Sequence, residues 1–227
     1  MRGSLPREHG TFDLSVSSKT KDIGYLCSGD GGQLTTFDDY RPYIDDMLYI
    51  MDLDTIDLDQ YGAIVVPDFS NQEVLDRNGS RFDTYLERGG FLVTFEPSRP
   101  DRWLSIVDVP FFKRETIDWK WWTRPGGRLE VYQPEPRHPM AEAIPVADMS
   151  WHFFGAYRFF DGAQPILNLD NDEGCIMFDY RVPGGGRLIC STIDPHIHSG
   201  RRFMPATTRF LNGFYPWLKA EVRNARA

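Results

Sequence analysis

The chain has 227 residues, 41% hydrophobic and 26% charged, enough to bury a sizeable core without covalent staples. A formal net charge of -8 argues against nucleic-acid binding, because phosphate neutralisation needs a basic surface. No apolar run approaches the ~20 residues of a membrane span, and residues 1–22 hold no apolar export signal, so a soluble, cytoplasmic protein without membrane contact is expected.

Cys27, Cys175 and Cys190 are three in number and sit in apolar, strand-like runs with no C-x-x-C spacing. They read as reduced core residues.

In chain order, a polar arm over 1–21 precedes Ile23–Cys27, a short buried strand that ends in the Gly-rich loop SGDGG. The glycines of that loop fit either a tight turn or a cradle of backbone amides for an anion. A short helix is expected across Phe37–Asp46, then a strand over Met47–Met51 and the acidic loop DLDTIDLDQ. Gly62–Pro67 is apolar throughout, as in a strand covered on both faces. Asn71–Arg88 has helical spacing interrupted at Asn78-Gly79, and Gly89-Gly90 ends it. Phe91–Phe95 is a fourth strand. This rhythm predicts an open, mostly parallel sheet with helices on both faces.

The middle of the chain, about 103–160, reads as a β-rich aromatic insertion. It contains Trp119, Trp121 and Trp122, which are candidates for a sugar-stacking surface or a homo-oligomer interface, or for core packing. Gln164–Leu169, Cys175–Tyr180 and Arg187–Ile193 are further strands, and the Val-Pro-Gly-Gly-Gly connection makes the last two antiparallel neighbours. Pro205 opens a final helix with the apolar stripe Phe210, Leu211, Phe214, Trp217 and Leu218, and Pro216 is expected to bend it.

Between the last strand and that helix lies STIDPHIHSG. If it is extended, His196 and His198 point to the same side and can share one divalent ion, with Asp194, Glu96 or Asp30 as a third ligand. A polar loop whose histidines meet carboxylates is the alternative.

The phrases YGAIVVPDF, YLERGGFLVTFEPS, RHPM, VPGGGRLICSTIDPH and FLNGFYPWL, in this order over residues 22–220, resemble the class I glutamine amidotransferase-like superfamily. Within it the sequence is most similar to the trehalose-utilisation (ThuA-like) group and the related domain of some β-galactosidases. The resemblance implies one flavodoxin-like, three-layer α/β sandwich over 22–220, with 221–227 as a tail. Catalytic members carry a cysteine nucleophile on an elbow after the fourth strand, where this chain has Glu96-Pro97-Ser98. Glutamine amidotransfer is therefore not expected, and His196 falls at the superfamily's carboxy-terminal histidine.

In an open parallel sheet the loops beyond the carboxyl ends of the strands share one rim, where ligands bind. That places Ser28, Asp30, Asp68, Glu96, Asp194, His196 and His198 together, with Arg201 and Arg202 beside them to hold an anionic group. Glu96 and Asp30 are candidates for a general acid and base with His196. Two functions stay open: a non-catalytic, carbohydrate-related binding or assembly domain, and a hydrolase or lyase acting on a small, sugar-like molecule.

Overall fold

The computed structural model describes residues 19–114, 120, 123, 125, 129 and 131–226. The protein is a mixed α/β fold, with one ten-stranded sheet and six α-helices among these residues. The parallel part runs β2 (Asp46–Tyr49), β1 (Lys21–Cys27), β3 (Tyr61–Val66), β4 (Phe91–Phe95) and β10 (Arg187–Ser191), side by side in that order. β1, β3, β4 and β10 are buried over nearly their whole length, which explains why they read as continuous apolar runs.

Beyond β10 the sheet becomes antiparallel. β9 (Cys175–Arg181) pairs with β10, as the glycine-rich connection predicts, and β8 (Ala163–Leu169) and β7 (Ala156–Tyr157) pair with β9. β5 (Phe111–Phe112) and β6 (Val131–Tyr132) add to β7 and β8, so the described strands of the aromatic middle segment extend the same sheet. Trp119, Trp121 and Trp122 lie outside the described residues, and so does all of the amino-terminal arm before Lys19.

One face of the sheet is covered by α1 (Gly31–Tyr40) and α6 (Pro205–Asn224), and the other by α2 (Gln72–Glu87) and α3 (Pro100–Trp103). The α6 stripe is the one read in the sequence, with all five residues buried; each fully buried side chain of this kind contributes roughly 1.5–3 kcal/mol. α6 contains Pro216 and runs to Asn224, through most of what reads as a tail.

Two helices depart from expectation. α1 begins inside SGDGG, six residues before the predicted start, because Asp30 caps it by accepting from Gly32 N at 2.7 Å. Gly32 serves contact with α5 (Pro195–Gly200): a Cβ on Gly32 would lie 2.9 Å from the Ile197 carbonyl oxygen, and one on Gly200 would lie 1.9 Å from the Gly32 carbonyl oxygen. The loop is thus a helix start fitted against another helix. α2 is continuous through Asn78-Gly79, since Asn78 donates to the Val74 carbonyl and Gly79 leaves room for the Trp103 backbone. A local propensity cost of ~1 kcal/mol for glycine in a helix is overridden by close packing.

The RHPM motif is structural too. His138 Nδ1 accepts from Met140 N at the start of α4 (Pro139–Ala143), and its Nε2 donates to Asp179, which also accepts from Arg187.

Candidate functional site

The carboxyl ends of β1, β3, β4 and β10 do form one rim, but their polar residues separate into three groups. The first ties the rim together. Ser28 N donates to Gln33 Oε1, Gln33 Nε2 donates to the Asp68 carbonyl, and Ser28 Oγ accepts from Asn71 N. Asp68 is fully buried; its Oδ1 accepts from His196 N at 2.7 Å and lies 2.8 Å from His196 Nδ1, while Oδ2 accepts from Ile197 N. On the far side of the ring, His196 Nε2 lies 3.0 Å from the hydroxyl of Tyr215 on α6. With no exposure and every polar atom engaged, His196 joins β3, α5 and α6.

The second group surrounds Glu96. It is fully buried on the α2 face, where its carboxylate accepts from Arg99 N and from the Tyr157 hydroxyl. Burial lifts its carboxyl to about 7, with the Arg99 amide opposing that shift. Asp30, by contrast, sits at the start of α1 with Oδ2 accepting from Arg201 at 2.8 Å. Glu96 and Asp30 therefore engage different groups on different faces, and the acid and base pairing expected between them and His196 is not assembled. Arg202 is held by Asp39 in a two-pronged pair. Arg201 and Arg202 are thus each matched to a carboxylate of the chain itself.

The third group is one that the sequence reading only half contained. STIDPHIHSG is helical, not extended, from Pro195 onward, so His196 and His198 are turned about 200° apart around α5 and cannot share an ion. His198 instead faces Asp194, its Nδ1 3.4 Å from Oδ2, and the same oxygen lies 2.9 Å from His152 Nε2. Trp151 Nε1 donates to the other oxygen, Oδ1, at 2.9 Å. Asp194 is fully buried, and burial raises its carboxyl and lowers the His198 imidazole.

His152 reaches this point because the chain over 149–155 alternates. Met149, Trp151 and Phe153 turn into the core while His152 and Phe154 turn to the rim, and Phe154 N donates to the Thr192 carbonyl just after β10. Around the carboxylate runs a series of rings: Phe69 against Phe154, Phe154 against His152, His152 against His198 and His198 against Phe203. Phe69 and Phe203 are 44% and 69% exposed. Phe69 also has φ of 58°, which is a strained conformation for a bulky residue.

A depression elsewhere, lined by Asp57, Asp59, Ser80, Arg81, Thr84 and Arg88, lies between α2 and the segment that leads into β3. Its arginines are already engaged, Arg88 by Asp59 and Arg81 by the carbonyls of Asp54 and Ile56. The three cysteines are all buried, and burial pushes the Cys175 thiol up to about 12, so none is poised as a nucleophile.

No family model matches the sequence, and no curated protein matches it. Among solved structures, the chain is similar to a protein of Bacteroides uniformis described as thua-like, at 11% identity and a TM-score of 0.48 over 95% of both chains. It is also similar to alpha-L-fucosidase isoenzyme 2 of Paenibacillus thiaminolyticus, at 11% identity and a TM-score of 0.51. A further similarity is to an exo-beta-1,4-mannosidase of Opitutaceae bacterium strain TAV5, at 14% identity and a TM-score of 0.48. The matches take in 84% and 86% of this chain but only 32% and 35% of the two glycosidases, so the chain spans about a third of their length.

Proposed function

We propose that residues 22–220 form one flavodoxin-like, class I glutamine amidotransferase-like domain of the ThuA-like kind, which binds a small, carbohydrate-related ligand at the rim around Asp194. The carrying observation is the ring series from Phe69 to Phe203 beside a buried carboxylate and two imidazoles. Sugars present an apolar face of C–H groups and an edge of hydroxyls. Aromatic faces match the first, and a few convergent polar groups match the second. The strained, exposed Phe69 favours the same reading, since backbone strain concentrates at ligand-contacting positions. A fold shared with part of an alpha-L-fucosidase is in keeping with a carbohydrate setting.

Hydrolase or lyase chemistry is a second reading, favoured by Asp194 lying between two imidazoles that can exchange protons with a bound hydroxyl. Calorimetric titration of the full chain with a panel of mono- and disaccharides tests binding. Saturable binding that weakens at least about tenfold in Phe203→Ala is expected, by loss of one stacking face. Binding unaffected by that change places the ligand elsewhere. Turnover of a bound sugar separates the two readings.

A further inference from the structure

We propose that His152, Asp194 and His198 form a binding site for one divalent transition-metal ion of the zinc type, with a fourth position left for water or a ligand hydroxyl. The proposal rests on the reading of this rim as the functional site, and it names the chemistry that site would use. Among the described residues, these three offer one ligand atom each within 4.8 Å of one another.

The spacing suits an ion. Asp194 Oδ2 lies 2.9 Å from His152 Nε2 and 3.4 Å from His198 Nδ1. Bonds of about 2.0–2.1 Å to a tetrahedral zinc set neighbouring ligand atoms about 3.3 Å apart. Two imidazoles and one carboxylate are a donor set that zinc and related ions accept. Binding an ion would displace the proton shared by His152 Nε2 and the carboxylate.

His198 provides an observation that a plain hydrogen-bonded cluster does not account for. Its Nδ1 is buried and, although 3.4 Å from Asp194, makes no hydrogen bond. Leaving such an atom without a partner is unfavourable, and a metal ion would satisfy it. Trp151 meanwhile fixes the other carboxylate oxygen, the outer-shell restraint that orients a ligating carboxylate. The His152 and His198 side chains are 10% and 16% exposed while that of Asp194 is not exposed at all, so the open position faces solvent from the imidazole side, next to Phe203.

In such a site the ion polarises a bound hydroxyl or lowers the pKa of a bound water, which supplies the hydrolytic or lyase-type chemistry of the second reading. This pair of histidines differs from the His-x-His pair of the sequence: His152 replaces His196, which is committed to Asp68 and Tyr215.

The test uses the full chain, purified without a histidine tag and stripped with chelator, titrated calorimetrically with zinc chloride and followed with cobalt chloride by visible absorption. One ion per chain is expected, with tetrahedral-type cobalt bands, and affinity at least about a hundredfold weaker in His152→Ala and His198→Ala. Absence of saturable zinc binding, or unchanged affinity in both variants, overturns the site. Should the variants lose their circular-dichroism signature of folding, anomalous scattering from zinc-soaked wild-type crystals decides: a peak among the three side chains supports the site, and a peak only elsewhere refutes it. Titrating sugars into the stripped and loaded protein separates the two claims. Sugar binding without any zinc site removes the metal alone, whereas zinc binding without sugar binding removes the carbohydrate reading alone.

Discussion

Oδ1 of Asp68 and Nδ1 of His196 lie 2.8 Å apart, with both side chains fully buried, and together they join the end of β3 to the first turn of α5. The contact spans 128 residues of sequence. It sets where α5 begins, and α5 in turn sets which way His198 points.

Replacing His196 by alanine strands the Tyr215 hydroxyl and removes one donor from a buried carboxylate. A loss of about 2–4 kcal/mol in unfolding free energy is expected in urea titration. A change below about 1 kcal/mol would show that the ring does not hold the elements together. Because the residue is structural, its loss should also loosen the rim.

Glu96 makes stability depend on pH in a defined sense. Its folded-state pKa is about 7, above an unfolded value near 4.5, so the folded chain holds the extra proton between those limits. Stability from this group is complete below about pH 4.5 and falls as pH rises to about 7, by up to about 3 kcal/mol. Glu96→Gln keeps an acceptor for the Arg99 amide and does not ionise. The unfolding free energy of the variant relative to the wild type should therefore rise from pH 4.5 to pH 8, and a difference independent of pH would contradict the burial effect.

Gly200→Ala tests the fit between α1 and α5. A methyl group there would meet the Gly32 carbonyl oxygen at 1.9 Å, which neither backbone can yield without moving the helices apart. Overpacking of this kind costs about 1–3 kcal/mol. Thermal unfolding should fall accordingly, and sugar or zinc binding should weaken with it, since His198 rides on the same helix. Unimpaired binding at reduced stability would mean that α5 can shift without disturbing the rim.

Phe69→Gly separates strain from stability. Glycine accepts a φ of 58° freely, whereas phenylalanine pays about 1–3 kcal/mol for it, and the lost edge contact with Phe154 is worth about 0.5–1.5 kcal/mol. The variant should unfold within about 1 kcal/mol of the wild type or be more stable, while its ligand affinity falls. Large destabilisation would make Phe69 a packing residue.

Much of the sheet was legible because its central strands are uninterrupted apolar runs, and α6 because its stripe keeps helical spacing. The start of α1 was missed because glycines look like a turn until their neighbour α5 is in place. For the site, Asp194 and His198 were legible from their position after the last parallel strand, but treating STIDPHIHSG as extended paired His198 with the wrong histidine. His152 carried only a weak signal, a lone histidine in the aromatic run Trp151–Phe154. Its approach to Asp194 depends on the long-range bond from Phe154 N to Thr192, which local sequence does not encode.

The most direct measurement is side-chain NMR of the histidines during titration with the sugar panel. The signals of His152 and His198 should move together and saturate with a ligand, while those of His138 and His196, held on Asp179 and Asp68, stay in place. Shifts confined to other residues, or no shift with any sugar, would contradict a carbohydrate site at the Asp194 rim.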